Sequence, residues 1–189
     1  LYPKAPMVAV KVPVFSFEKL RDVDVNLGPE MKSTGEVLGL APTFEDALLK
    51  GLIAAGYTMK KPGNLLVTLK DADKEEALGI VRQFRSLGFN IFATEGTAEY
   101  LFHHGVPAVP IKKIGEGVMD TLALIESDMV DYVISTPSKG RKPARDGVKI
   151  RRKAVEMAVP CLTSLDTAKA LIKCLAMEKT IQTLDLNVL

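Results

Sequence analysis

Hydroxyl and ammonium groups carry the chemistry this chain offers. Thr94 and Thr97 bracket Glu95-Gly96 directly before a helical pattern. Two hydroxyl donors therefore stand beside the free backbone N–H groups of a helix start, whose dipole favours an anion. Gly96 lets the backbone come close to a ligand. Lys74 and Lys113 can add point charges from neighbouring segments, and Ser135 and Thr163 each stand at the end of a further apolar run. The run Lys139 to Lys153 holds eight Lys/Arg, with Asp146 its one acid. Such a run is most often a solvated face. Its functional reading is a loop closing over a phosphorylated ligand through Lys139, Arg141 or Lys142. Each hydroxyl taken alone has the plainer role of a helix cap. Their convergence favours an anion site.

Other chemistries lack their parts. There is no G-x-x-x-x-G-K-[ST] loop, and Gly115-Glu116-Gly117 has no third glycine for a dinucleotide fingerprint. His103 and His104 are the only histidines, and adjacent helical positions do not face one ligand. Cys161 and Cys174 are too few and too far apart for a disulfide framework or a zinc site, so no metal is expected. Asp71, Asp73, Glu95 and Glu116 could act as bases, yet they are as ready to be ion-pair partners of lysines. Binding is favoured over catalysis.

The elements that must position these groups follow from length and pattern. The chain has 189 residues, 47% hydrophobic and 25% charged, too apolar for disorder and enough for one α/β core plus a smaller piece. No run reaches membrane-spanning length and no signal-peptide pattern opens the chain, so a reduced cytoplasmic setting is expected. The net charge of +2 does not call for a polyanion. The chain opens on Leu1, which reads as a piece of something longer.

Residues 1–39 hold a β-rich run, Val8 to Phe17, then a stretch rich in turn residues, with too few apolar residues for a core of its own. Thr43 reads as an N-cap with Asp46 at N3, opening a connecting helix closed by Gly56. Lys60-Lys61-Pro62-Gly63-Asn64 is breaker-rich, so residues 40–62 read as helix and linker. Strands are then expected at Leu65–Leu69, Phe89–Thr94, Val106–Lys112, Tyr132–Ser135 and Val159–Thr163. Helices alternate with them, the first from Asp73 to Leu87 and the last from Asp166 to Met177. The pattern predicts a doubly wound, five-stranded parallel sheet over residues 63–180, with 181–189 a tail. In such a sheet ligands bind beyond the carboxyl ends of the strands, where the hydroxyls and lysines fall.

The segment Leu27-Gly28-Pro29-Glu30-Met31-Lys32-Ser33-Thr34-Gly35-Glu36-Val37-Leu38-Gly39 closely resembles a signature near the end of the second ATP-grasp unit of the carbamoyl-phosphate synthetase large subunit. Phe92 to Ala98, Val148 to Arg152 and Thr163-Ser164-Leu165 resemble the C-terminal regulatory domain of that subunit, which has the methylglyoxal-synthase-like fold. The family makes carbamoyl phosphate from bicarbonate, glutamine-derived ammonia and two ATP. The resemblance implies that ATP and magnesium belong to the rest of the large subunit, that a glutaminase small subunit is the partner, and that this portion is not itself catalytic.

It further implies a nucleotide-type effector, UMP, IMP or phosphoribosyl pyrophosphate, at Lys74, Thr94, Thr97 and Lys113, with Ser135 where many members have Asn. Pro137 replaces a Thr of the pattern, which implies a changed nucleotide preference. The basic loop with Lys139 and Arg141 suits a multiply phosphorylated effector. Thr163 falls on a second-effector position that touches ornithine in some members, where the expected acid is here Val12. Lys11, Met31 and Glu36 fall on the carbamate route. The implied mechanism is linkage, an effector favouring one conformation of the parent. In it the Lys60–Asn64 joint moves and residues 1–39 carry the signal. Two rivals are a methylglyoxal-synthase-like lyase, whose Gly-Gly-Asp and His-Asp contexts are absent here, and a general phosphate binder. Neither a membrane nor a nucleic acid is expected as partner, since no aromatics interleave the basic run.

Overall fold

The structure is a computed structural model and describes residues 6–15, 31–136 and 146–177. These form two compact units. The smaller comprises described residues up to Met59 together with those from Lys173, and the larger comprises 60–172.

In the smaller unit β1 (Val8–Val14) pairs antiparallel with β2 (Gly35–Ala41). The sequence reading has turn residues across Leu27–Gly39, and there the structure differs, since Gly35–Ala41 is a strand. Its glycines mask a period-two pattern in which Gly39 and Ala41 are buried while Glu36 and Leu38 are exposed. The reason for Gly39 is close approach. A Cβ there would sit 1.9 Å from the Ala47 carbonyl oxygen of α1 (Phe44–Ala54). That helix therefore lies against the strand pair as part of this unit. Thr43 caps it as the sequence suggests: Asp46 N donates to Thr43 Oγ1 at 3.2 Å, and Thr43 Oγ1 donates to Asp46 Oδ2 at 2.6 Å.

The larger unit alternates strands and helices. The chain runs β3 (Asn64–Thr68), α2 (Lys74–Ser86), β4 (Asn90–Thr94), α3 (Glu95–His103), β5 (Val109–Ile111), α4 (Thr121–Glu126), β6 (Tyr132–Ser135), α5 (Asp146–Glu156), β7 (Cys161–Leu162) and α6 (Leu165–Ala176), the last of which is divided between the units at Lys173. The five strands form one parallel sheet in the order β5-β4-β3-β6-β7. The fold is the doubly wound α/β sheet read from the sequence. Leu65, Leu66 and Val67 are fully buried, as a central strand covered on both faces requires. Leu66 and Val133 pack with Leu124, Ile125, Ile150 and Ala154 of α4 and α5. Each such side chain contributes roughly 1.5–3 kcal/mol of hydrophobic stabilisation.

Two strands are shorter than the sequence suggests, for one reason. Pro107 and Pro110 remove two backbone donors around β5, and Pro160 removes one before β7. Both strands lie at sheet edges, where that loss is tolerated. The N–H of Val106 turns back to Leu101 O at 2.9 Å, closing α3 instead of extending β5. Among the described residues no helix is long and apolar enough to cross a membrane.

Candidate anion-binding site

The winding of the sheet fixes where a crevice opens. The chain starts in the centre at β3, steps out through β4 to β5, then crosses to β6 and steps the other way. Strand order reverses between β3 and β6, whose last residues Thr68 and Ser135 are register partners. Ligands of open α/β sheets bind beyond the carboxyl ends at this switch. Two adjoining cavities lie there. One of about 130 Å³ is lined by Thr68, Leu69, Thr94, Lys113, Ile114 and Thr121. The other, about 430 Å³, is lined by Thr68, Leu69, Lys70, Ser135, Thr136 and Gly147. Asp146 and Ile150, from the first two turns of α5, border both.

The hydroxyls are set by backbone rather than by chance. Thr94 ends β4 and donates from Oγ1 to Thr97 Oγ1 at 3.3 Å, so Thr97 stands one hydrogen bond behind the cavity wall. Both are buried. Thr136 Oγ1 accepts from Lys70 N at 3.1 Å while its own N–H donates to Thr68 O, which locks the ends of β3 and β6 together. Thr121 Oγ1 donates to Lys112 O at 2.9 Å.

The lysines differ in how committed they are. Lys74 has its ammonium 2.6 Å from Asp71 Oδ1 and 2.8 Å from Gly96 O, with only 14% of the side chain exposed. That contact holds the Asp71 carboxyl below its usual range. Lys112 is taken by Glu95 at 2.6 Å, which pushes its ammonium pKa up. The Lys113 side chain makes no hydrogen bond or ion pair among the described residues, though its charge acts at longer range on Asp71. It is the cation of the smaller cavity whose ammonium is not already held in an ion pair, with the Asp146 carboxylate on the same lining.

The structure therefore brings Thr94, Lys113 and Ser135 to one crevice, with Thr97 and Lys74 in its surroundings. Thr163 is exposed beyond β7 and lines neither cavity. Lys11 and Glu36 form a 3.0 Å ion pair on the exposed side of the smaller unit's strand pair, and Met31 is 77% exposed. Lys139 and Arg141 lie outside the described residues. Sequence reasoning passed over Thr68 and Thr121. Thr68 is the last residue of β3, and extending that strand to Leu69 moved its end one place too far. Thr121 looked like helix and nothing more.

Chemically, unpaired ammonium and clustered hydroxyls suit a phosphate-type anion held by charge-assisted hydrogen bonds. Among the described residues no cluster of His, Cys, Asp or Glu could hold a metal ion.

A doubly wound unit with its crevice at the β3/β6 switch has a counterpart among known families. A family model described as the MGS-like domain matches residues 76–163, which lie within the larger unit and its five-stranded parallel sheet. The chain is also 49% identical over 175 residues to the carbamoyl phosphate synthase large chain of Lachnoclostridium phytofermentans. That match covers 93% of this chain and 16% of the relative's length. Among solved structures, the methylglyoxal synthase of Elizabethkingia anophelis NUHP1 aligns at a TM-score of 0.45 and 17% identity, over 60% of this chain and 78% of that one.

Proposed function

We propose that this chain is the regulatory portion of a carbamoyl phosphate synthase large chain, with the β3/β6 crevice as its effector site. The effector is a phosphorylated nucleotide-type ligand such as UMP, IMP or phosphoribosyl pyrophosphate. It controls synthesis of carbamoyl phosphate from bicarbonate, glutamine-derived ammonia and ATP. The observation that carries this reading is that Lys113, whose ammonium forms no ion pair with the described residues, shares a cavity with the Thr94 hydroxyl at the strand-order switch. Identity of 49% across nearly the whole chain supports the parent assignment. The small cavity takes the phosphate and the larger one the rest of the ligand.

In this reading the chain binds and the remainder of the parent, with its ATP and magnesium, turns over. The smaller unit is then the end of an ATP-grasp domain, with Lys11, Met31 and Glu36 on the carbamate route. Thr163 is a second-effector position, and Lys139 and Arg141 add charge to the effector. Control works by linkage, since a ligand shifts the parent only by its differential affinity for two conformations. Calorimetric titration of the three ligands tests the site. One ligand is expected to bind saturably, one to one, with selectivity among the three. Equal weak binding of all three with a steep salt dependence would indicate a non-specific polyanion surface and contradict the proposal.

A further inference from the structure

The segment Lys112–Asp120 after β5 carries Lys113 and is tied shut at its base. Thr121 donates to Lys112 O from both its N–H (3.1 Å) and its hydroxyl (2.9 Å). Within the loop, Glu116 N donates to Lys113 O at 3.1 Å, a turn that takes Gly115 through φ +79°. Among the described residues, one side chain grips both this turn and the helix beyond. Asp120 Oδ2 accepts from Gly115 N at 2.9 Å, while its Oδ1 accepts from Leu122 N and Ala123 N at 2.9 and 3.0 Å.

The geometry points to Asp120 as a positioning residue of the anion site, acting through the Gly115 amide to hold the turn that presents Lys113 to the cavity. This rests on the effector-site reading above. The Lys113 side chain is exposed and makes no hydrogen bond or ion pair among the described residues, so its backbone is what aims it. That backbone is fixed by the Gly115 and Glu116 amides. The carboxylate accepts all three of its bonds from backbone N–H groups, which holds its pKa below the ordinary value, with Gly115 the largest cause.

The two functions of this carboxylate can be separated. Asn is as good an N-cap as Asp, so Asp120→Asn keeps the α4 cap with its one carbonyl oxygen. Its NH2 then faces the Gly115 N–H and cannot accept from it. Asp120→Ser also caps but is too short to bridge to Gly115. Both variants, Lys113→Ala and the Lys113→Ala/Asp120→Asn double variant are titrated in the 189-residue chain with UMP and with inorganic phosphate. Each Asp120 variant is expected to weaken binding about fivefold or more, with a thermal midpoint near that of the parent. The double variant is expected to bind as Lys113→Ala does, because the loss runs through that lysine. Parent-like affinity in both Asp120 variants overturns the inference alone, as does a double variant in which the two losses multiply. Absence of any binding by the unaltered chain overturns the effector-site reading and this inference with it.

Discussion

Lys113→Ala and Lys74→Ala each remove one positive charge, yet the structure predicts very different outcomes. A phosphate oxygen about 4 Å from an ammonium gains about 4 kcal/mol at an effective dielectric near 20. Exposure of Lys113 returns part of that to water, leaving the roughly 1.5–3 kcal/mol typical of a charge-assisted hydrogen bond. Lys113→Ala should therefore weaken nucleotide binding about 10- to 150-fold. Lys74 starts from another position. Its ammonium already holds Asp71 and the Gly96 carbonyl, and a ligand must displace the first to gain anything. Its loss should cost less than about fivefold in affinity, in the range of exposed ion pairs. The stability effects run the other way. Lys113→Ala breaks no side-chain hydrogen bond or ion pair among the described residues and should move folding stability by no more than about 0.5 kcal/mol, whereas Lys74→Ala should lower the thermal midpoint. Calorimetry with whichever nucleotide binds, beside thermal melts of both variants, measures the contrast. Equal losses of affinity, or a larger loss at Lys74, would refute the assignment of Lys113 as the open cation.

Gly39→Ala should destabilise the smaller unit by about 3 kcal/mol, because its Cβ would meet a helix carbonyl at 1.9 Å and backbone cannot swing aside; urea unfolding monitored on that unit would show a change under 0.5 kcal/mol if the close approach were absent. Ala158 sits at φ 54°, where a Cβ is strained, so Ala158→Gly should stabilise by about 0.5–1 kcal/mol in urea unfolding monitored on the larger unit. Burial pushes the Cys161 and Cys174 thiols up to about 11 each. Both should be alkylated far more slowly in the folded chain than in urea at pH 8, since the thiolate is the nucleophile. The same shift means that their share of stability is complete below pH 9 and lost as pH rises toward 11, which a series of melts between pH 8 and 11 would follow.

The large-scale pattern was legible because hydrophobic periodicity reports burial directly. Leu65-Leu66-Val67 reads as a central strand since both of its faces must be covered. Glycine and proline were harder to read. Gly39 serves helix–strand contact, a tertiary fact that nothing local signals, so a strand looked like a turn. Pro107, Pro110 and Pro160 trimmed two edge strands that periodicity alone prolonged. At the site, residue type and strand-end position were enough to single out Thr94, Lys113 and Ser135. The state of each lysine was not accessible that way. Asp71 lies three residues before Lys74 and Glu95 seventeen before Lys112, and only coordinates tell which acid claims which ammonium. Asp120 was invisible for a related reason, since its work is done on backbone amides five residues before and two and three residues after it.

Amide-resolved NMR of the 189-residue chain during a UMP titration tests the central claim most directly. The account predicts saturable shifts concentrated at Thr68, Leu69, Lys113, Ser135 and Thr136, reduced in Lys113→Ala. Shifts confined to the basic face of α5 and abolished by moderate salt would contradict it, and so would an unchanged spectrum with UMP, IMP and phosphoribosyl pyrophosphate alike.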